Sequence, residues 1–249
     1  LFAVSKTGNL TIQNVEVNHG FGTFVGGGGG IFNNGTLAIQ NSTISGNTGF
    51  GGSVLNQASL TIENSTISGN TVGLHNGGRG PVYAASSVSS FKPRAFCYDY
   101  YSYFYGGVGV YCYYRYSGAL TITNSTISKN SGLGIFNQFG TVTIGNDSTI
   151  SRNKAGGAFN AGGASDFYGK YFPAGDMSII DSTISKNYAQ RGAGIFNRGI
   201  LTIENSTISQ NNAAYDGGGI FNASNFNNAP AGDLSLLDTT ITENRARDS

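Results

Sequence analysis

Apolar and polar residues alternate along this chain in very short runs, such as Leu60-Thr61-Ile62 and Thr66-Ile67-Ser68, each closed by Asn, Gly or Ser. Alternation with period two puts successive side chains on opposite faces of a strand, whereas a helix needs a three-to-four spacing that the runs do not show. The runs belong to one phrase, Leu-Thr-Ile-x-Asn-Ser-Thr-Ile-Ser-x-Asn, which occurs eight times. The copies are Leu10 to Gly20 in degenerate form, Leu37 to Asn47, Leu60 to Asn70, Leu120 to Asn130, Val142 to Asn153 with one extra residue, Met177 to Asn187, Leu201 to Asn211 and Leu234 to Asn244. Its last apolar position falls at Val17, Ile44, Ile67, Ile127, Ile150, Ile184, Ile208 and Ile241, with spacings of 27, 23, 60, 23, 34, 24 and 33. The underlying period is therefore 23 to 24 residues, lengthened by insertions. A second phrase, Gly-Ile-Phe-Asn in its commonest form, precedes most copies, as at Gly30 to Asn33, Gly134 to Asn137 and Gly194 to Asn197. Each period thus holds three short strands.

Three β-rich runs and three turns per period predict a coil that stacks on its neighbours at about 4.8 Å, each strand pairing with its equivalent and identical side chains forming ladders. The predicted fold is all-β: a parallel β-helix solenoid of about eight coils, of the large, three-sided, right-handed kind. It is expected to occupy residues 1–249 as one domain, interrupted by a Tyr-rich insertion at about 77–117. Leu10, Leu37, Leu60, Leu120, Val142, Met177, Leu201 and Leu234 are expected to fill one interior face, and the Ile44 series another. Asn14, Asn41, Asn64, Asn124, Asn146 and Asn205, with Asp181 and Asp238, mark one turn of each coil, where a short amide tolerates a strained backbone. The Asn47 series marks a second turn and the Asn33 series a third. The Asn-Ser-Thr triplets at Asn41, Asn64, Asn124 and Asn205 are expected to be closed to glycosylation, because a ladder Asn facing inward is unavailable.

The phrases Gly-Gly-Gly-Ile-Phe-Asn and Gly-Thr-Leu-x-Ile-x-Asn-Ser-Thr-Ile-Ser-Gly-Asn resemble those of bacterial secreted right-handed parallel β-helix repeat proteins. Polymorphic outer-membrane proteins, autotransporter passengers and other extracellular repeat proteins share such phrases. The resemblance covers about residues 8 to 76 and 118 to 244. It implies the fold and an extracellular or cell-surface location in a bacterium. It does not imply one activity, since this fold serves lyases, hydrolases, adhesins and filament subunits alike.

Composition sharpens the picture. The chain has 39 Gly and 27 Asn among 249 residues, with only 14 Lys+Arg and 13 Asp+Glu and a net charge of +1. Without a Lys/Arg-rich run, neither nucleic acid nor an anionic membrane surface is an expected partner. No run of about 18 apolar residues offers a membrane span. The chain opens Leu1-Phe2-Ala3-Val4 instead of with Met, and reads as processed, truncated or incomplete. Neither terminus reads as a solenoid cap, so the chain is expected to continue into further coils or to stack head-to-tail on copies of itself.

Long spacings place insertions at about 20–28, 77–117, 162–174 and 223–231. The largest is distinct, with ten of the 14 Tyr. Its Tyr98, Tyr100, Tyr101, Tyr103, Tyr105, Tyr111, Tyr113, Tyr114 and Tyr116 supply large amphipathic area at low entropic cost and read either as a contact surface for protein or sugar rings or as a flap covering one flank. Alternation predicts a hairpin turning at Gly106-Gly107, which would bring Cys97 and Cys112 near enough to bridge, as an extracellular location permits.

Candidate chemistry is sparse. The Asp residues are scattered through the sequence, Glu63 and Glu204 share a repeat position, and His75 takes a slot held elsewhere by Phe. Nothing reads as a metal or cofactor site, and the chain is expected not to be an enzyme. One outward pattern is regular: Thr43/Ser45, Thr66/Ser68, Thr126/Ser128, Thr149/Ser151, Thr183/Ser185, Thr207/Ser209 and Thr240/Thr242 predict two hydroxyl ladders on one face. This resembles the arrays of β-helical ice-binding proteins. It is also how a stacked face is solvated without like-charge repulsion. The expected function is an extracellular structural or adhesive β-helix, a filament subunit or adhesin segment whose partners are itself, other surface proteins or glycans. Ice binding and polysaccharide lyase or hydrolase activity are the alternatives.

Overall fold

Each repeat phrase folds into one turn of a coil. The computed structural model describes residues 2–22, 29–49, 52–79, 95–102, 107–116, 118–161, 174–223 and 232–247, of which 78–79, 95–102 and 107–116 are described by backbone alone. Three parallel sheets, each of eight strands, run the length of the stack. The Gly-Ile-Phe-Asn phrase supplies the first sheet, from Phe2–Val4 through Ile31–Asn33 to Ile220–Asn222. The Leu-Thr-Ile segment supplies the second, from Asn9–Gln13 to Asp233–Leu237, and Thr-Ile-Ser the third, from Glu16–Asn18 to Thr240–Thr242. Phe2–Val4 is the first described strand of this sheet and pairs with Ile31–Asn33.

Register follows the repeat. Leu60 pairs with Leu37 on one side and Leu120 on the other, and Ile67 with Ile44 and Ile127, so 60 residues in one gap and 23 in another close onto the same ladder. The inner columns are almost entirely aliphatic. Ile39, Ile44, Ile62, Ile67, Ile122, Ile127, Ile144 and Ile150 are fully enclosed. Burying such a side chain stabilises by about 1.5–3 kcal/mol, and the column repeats that contribution in every coil.

Two Asn columns also lie inside. Asn33, Asn56, Asn76, Asn137, Asn160 and Asn197 each donate from Nδ2 to the Oδ1 of the next copy, at 2.7 to 3.1 Å. The chain Asn47, Asn70, Asn130, Asn153, Asn187, Asn211 and Asn244 does the same at 2.9 to 3.2 Å. An amide carries both donor and acceptor, so a column of identical residues satisfies itself in the low-dielectric interior. Glycine before the first sheet is required by the same closeness: a Cβ on Gly157 would sit 2.6 Å from the Gly194 carbonyl oxygen and 2.9 Å from Asn187 Nδ2.

The third Asn column behaves differently from the sequence expectation. Asn14, Asn41, Asn64, Asn124 and Asn205 have φ between 45° and 55° or just below, at 43° for Asn124, as the left-handed turn requires. Their side chains face outward, and the following Ser42, Ser65, Ser125, Ser148, Ser182 and Ser206 are buried instead. The Oγ atoms of Ser42, Ser65, Ser125, Ser148 and Ser206 accept from the backbone of the adjacent coil, as Ser65 Oγ does from Ser42 N at 3.1 Å, and all six Ser donate to a carbonyl of their own turn, as Ser42 Oγ does to Gln40 O at 2.7 Å. The Asn-Ser-Thr triplets are thus exposed at Asn, which corrects the inward reading. The extra residue of the Val142 copy is absorbed at this corner, where Asn146 and Asp147 are both left-handed, at 51° and 60°.

Candidate functional site

The third sheet brings the predicted hydroxyl residues together. Its register aligns Thr43, Thr66, Thr126, Thr149, Thr183, Thr207 and Thr240 in one column and Ser45, Ser68, Ser128, Ser151, Ser185, Ser209 and Thr242 in the other. Val17 and the Ile between each pair point inward, so the alternation read from the sequence holds along this sheet. Most of the hydroxyl residues are half-buried, each partly covered by the copies beside it. Ser128 and Ser151 are the most enclosed, at 7% exposure each. In the first coil the columns end in Glu16 and Asn18, where Asn18 and Ser45 both donate to Glu16 Oε1.

The edges of this face carry charge that sequence order disperses. Asp147 and Asp181 stand in neighbouring coils, joined by Asp147 N donating to Asp181 O at 2.9 Å, and Asn205 Nδ2 donates to Asp181 Oδ1. With Asn146, Ser182, Thr183 and Thr207 they border a shallow polar groove of about 590 Å³. Among the described residues no three His, Cys, Asp or Glu converge as a metal set would. Period, not proximity in sequence, is the signal that would have paired these two carboxylates.

His75 joins an aromatic column on the outer side of the first sheet. It lies 4.7 Å from the Phe136 ring, which continues to Phe159, Phe196 and Phe221 at 5.4, 4.9 and 5.2 Å. Burial against this column lowers the His75 pKa from its ordinary 6.5, and the side-chain hydrogen bond with Gln138 opposes that shift. A neutral ring tilted against Phe136 is a structural substitution for the Phe of other coils.

The Tyr-rich insertion forms a second motif. Backbone strands Ala95–Ser102 and Gly107–Tyr116 pair antiparallel, with Gly78–Arg79 against the outer end of the latter. Tyr98, Tyr100 and Tyr101 lie on one strand, Tyr111, Tyr113, Tyr114 and Tyr116 on the other; Tyr103 and Tyr105 fall outside the described residues. The predicted hairpin is present, but Gly107 pairs with Ser102 and so belongs to a strand instead of the turn expected at Gly106-Gly107. Cys97 stands directly opposite Cys112 in the backbone register. Their sulfur atoms, like the Tyr side chains, lie outside what is described.

Three unbroken parallel ladders with an Asn- and Ser-lined interior define the architecture, and the profile of the family described as the right-handed β-helix region matches residues 2–172. The chain belongs to the right-handed β-helix family. Within this right-handed β-helix, the described insertions and exposed columns are the parts the scaffold does not dictate. Comparison with curated proteins and with solved structures finds no match. None of the described segments is a helix long and apolar enough to cross a membrane.

Proposed function

We propose that this β-helix is a structural segment of an extracellular bacterial surface protein, an adhesive or filament-forming rod and not an enzyme. The supporting observation is its extensible register. Each coil adds one equivalent strand to each of the three sheets, as Leu201 pairs with both Met177 and Leu234 and Ile208 with both Ile184 and Ile241, so the same register admits a further coil from the same polypeptide or from a neighbouring copy. Stacking of the second kind is heterologous and does not close, so it makes a filament. The Tyr-rich hairpin is the contact element of this reading, because it departs from the coil at one point with a composition unlike the rest.

Negative-stain microscopy of the purified chain tests it. Fibres or single rods with a repeat set by coil stacking are expected, the first for a filament subunit and the second for an adhesin segment. Depolymerisation of uronic-acid polymers, abolished by altering one charged residue, contradicts it. Removal of residues 80–116 is expected to weaken assembly or partner binding, and unchanged behaviour removes the hairpin from its role.

The register of the hydroxyl columns favours a second reading, ice binding, since Thr43/Ser45 to Thr240/Thr242 repeat at the strand spacing of about 4.7 Å. Thermal hysteresis or inhibition of ice recrystallisation supports it; their absence at high protein concentration rejects it.

A further inference from the structure

The Tyr-rich hairpin belongs to a small sheet whose two outer strands are unlike. Gly107–Tyr116 runs between Gly78–Arg79 and Ala95–Ser102. Gly78–Arg79 is two residues long, and the register sets Arg79 directly opposite Arg115. A very short, cationic outer strand is one of the ordinary devices that keep a sheet edge from pairing with another chain. Ala95–Ser102 has none of those devices. It is eight residues long, against five or fewer for every described coil strand, and contains neither Lys nor Pro. Its register with residues 107–114 is continuous from Ala95 opposite Tyr114 to Ser102 opposite Gly107, without a bulge to twist the edge away. Among the described residues no strand pairs with its other side. That side therefore offers a row of backbone donors and acceptors to an incoming strand.

Charge and register decide which strand fits. A second copy of the same strand satisfies both open edges in one interface, related by a two-fold axis. With the strands antiparallel and the axis normal to the sheet, opposed residues share a face, so their numbers sum to an even value. Two registers then pair all but one residue of the strand, over 96–102 or over 95–101. The first sets Asp99, the strand's one charge, opposite Asp99 of the other copy, and like charges in direct opposition repel. The second sets Tyr98 opposite Tyr98, Phe96 opposite Tyr100 and Cys97 opposite Asp99, with no like charges opposed. The hairpin register places Phe96, Tyr98 and Tyr100 on one face with Tyr111 and Tyr113, so this second register carries one aromatic face across both copies. Cross-strand aromatic pairs stabilise such a sheet.

We infer that Ala95–Ser102 is a homodimerisation edge, through which two copies join antiparallel with Tyr98 at the two-fold axis. The joined sheet takes three strands from each copy, and its outer strands are the two short Gly78–Arg79 segments. Pairing therefore closes at two copies and does not propagate. Two solenoids are joined at their hairpins, by a contact separate from the stacking of coils. This rests on the reading of the hairpin as the contact element and names its partner as a second copy of the chain.

Sedimentation equilibrium of the intact chain, with disulfide trapping, tests the inference. The native chain is expected to associate in pairs. Tyr98→Lys, which opposes like charges at the axis, is expected to weaken that association at least about ten-fold while the thermal transition of the coil stays unchanged. Asp99→Asn is expected to leave it as strong as in the native chain, because Asp99 is opposed by Cys97 and not by itself. In a chain carrying Cys97→Ser and Cys112→Ser, Tyr98→Cys is expected to form an interchain disulfide under mild oxidation, since directly opposed Cα atoms lie about 4.5–5.5 Å apart. Asp99→Cys in the same background is expected to cross-link far more slowly. A native chain that stays monomeric, an association that Tyr98→Lys leaves unaltered, or faster cross-linking through Asp99→Cys overturns the inference. Rods or fibres still seen by microscopy in that event leave the structural-rod reading standing.

Discussion

At the residue scale, the left-handed corners explain both what the sequence reveals and what it conceals. Asn41, Asn64 and Asn205 are legible as turn residues because a short amide tolerates φ near 47°. Which way they point is not legible, since a left-handed residue bends the chain and the in-out count of one strand does not carry across it to the next. Hence the interior position falls to Ser42 and its equivalents, and Asn41 faces solvent. The corner after the third sheet makes the converse prediction. Lys129 and Arg152 hold left-handed backbone at φ 55° and 56° in adjacent coils, so replacing either by Gly relieves both backbone strain and like-charge stacking, and the thermal midpoint is expected to rise, as thermal unfolding followed by circular dichroism can check. A lower midpoint contradicts the strain argument. Inside, Asn137→Leu removes the donor to Asn160 Oδ1 and the acceptor of Gly140 N and Asn76 Nδ2, the last of which keeps the Gly118 and Thr141 carbonyls, and a loss of about 1–3 kcal/mol is expected in denaturant titration.

At the element scale, strand positions and partners were readable because each apolar column repeats with the period, and the 60-residue gap between Ile67 and Ile127 closes in register like any other. Ile122 is fully enclosed while Thr121 on the same strand is exposed. Ile122→Ala is therefore expected to cost about 2–5 kcal/mol and Thr121→Ala less than about 0.5 kcal/mol, by urea unfolding. The aromatic column gives a pH prediction. His75 has its folded pKa lowered below the ordinary 6.5 mainly by burial, so the neutral form is favoured on folding. Its contribution is present above about 6.5 and is lost as pH falls from there through the lowered folded value. His75→Phe, which restores the residue of neighbouring coils, is expected to remove that part of the acid sensitivity; an unchanged pH profile rejects the assignment. In the hairpin, Cys97 opposite Cys112 leads to the expectation of a disulfide, checked by intact mass with and without reduction.

At the scale of the whole molecule, abundance of Gly and Asn with little charge reflects a surface produced by stacking identical positions, where in-register charge repels and corners recur in every coil. The fold was accordingly legible almost throughout. Function was less so, because side chains that meet across coils are 23 or more residues apart in sequence: Asp147 and Asp181, or Arg191 and Asp216, look isolated until the period is imposed. The hydroxyl columns were found because they repeat one residue type with the period, whereas the turn position held by Gly46, Gly69, Lys129, Arg152 and Lys186 keeps the period but changes residue type.

The central claim is that repeat phrases are interchangeable coils of one parallel stack. Deleting residues 178–201 removes one period of 24 residues and joins Met177 to Thr202, which follows its register partner Leu201. Deleting 178–189 removes half as much. The first variant is expected to keep a β-rich spectrum and a cooperative thermal transition, the second to lose both. Equal tolerance of the two deletions, or equal loss, contradicts the account.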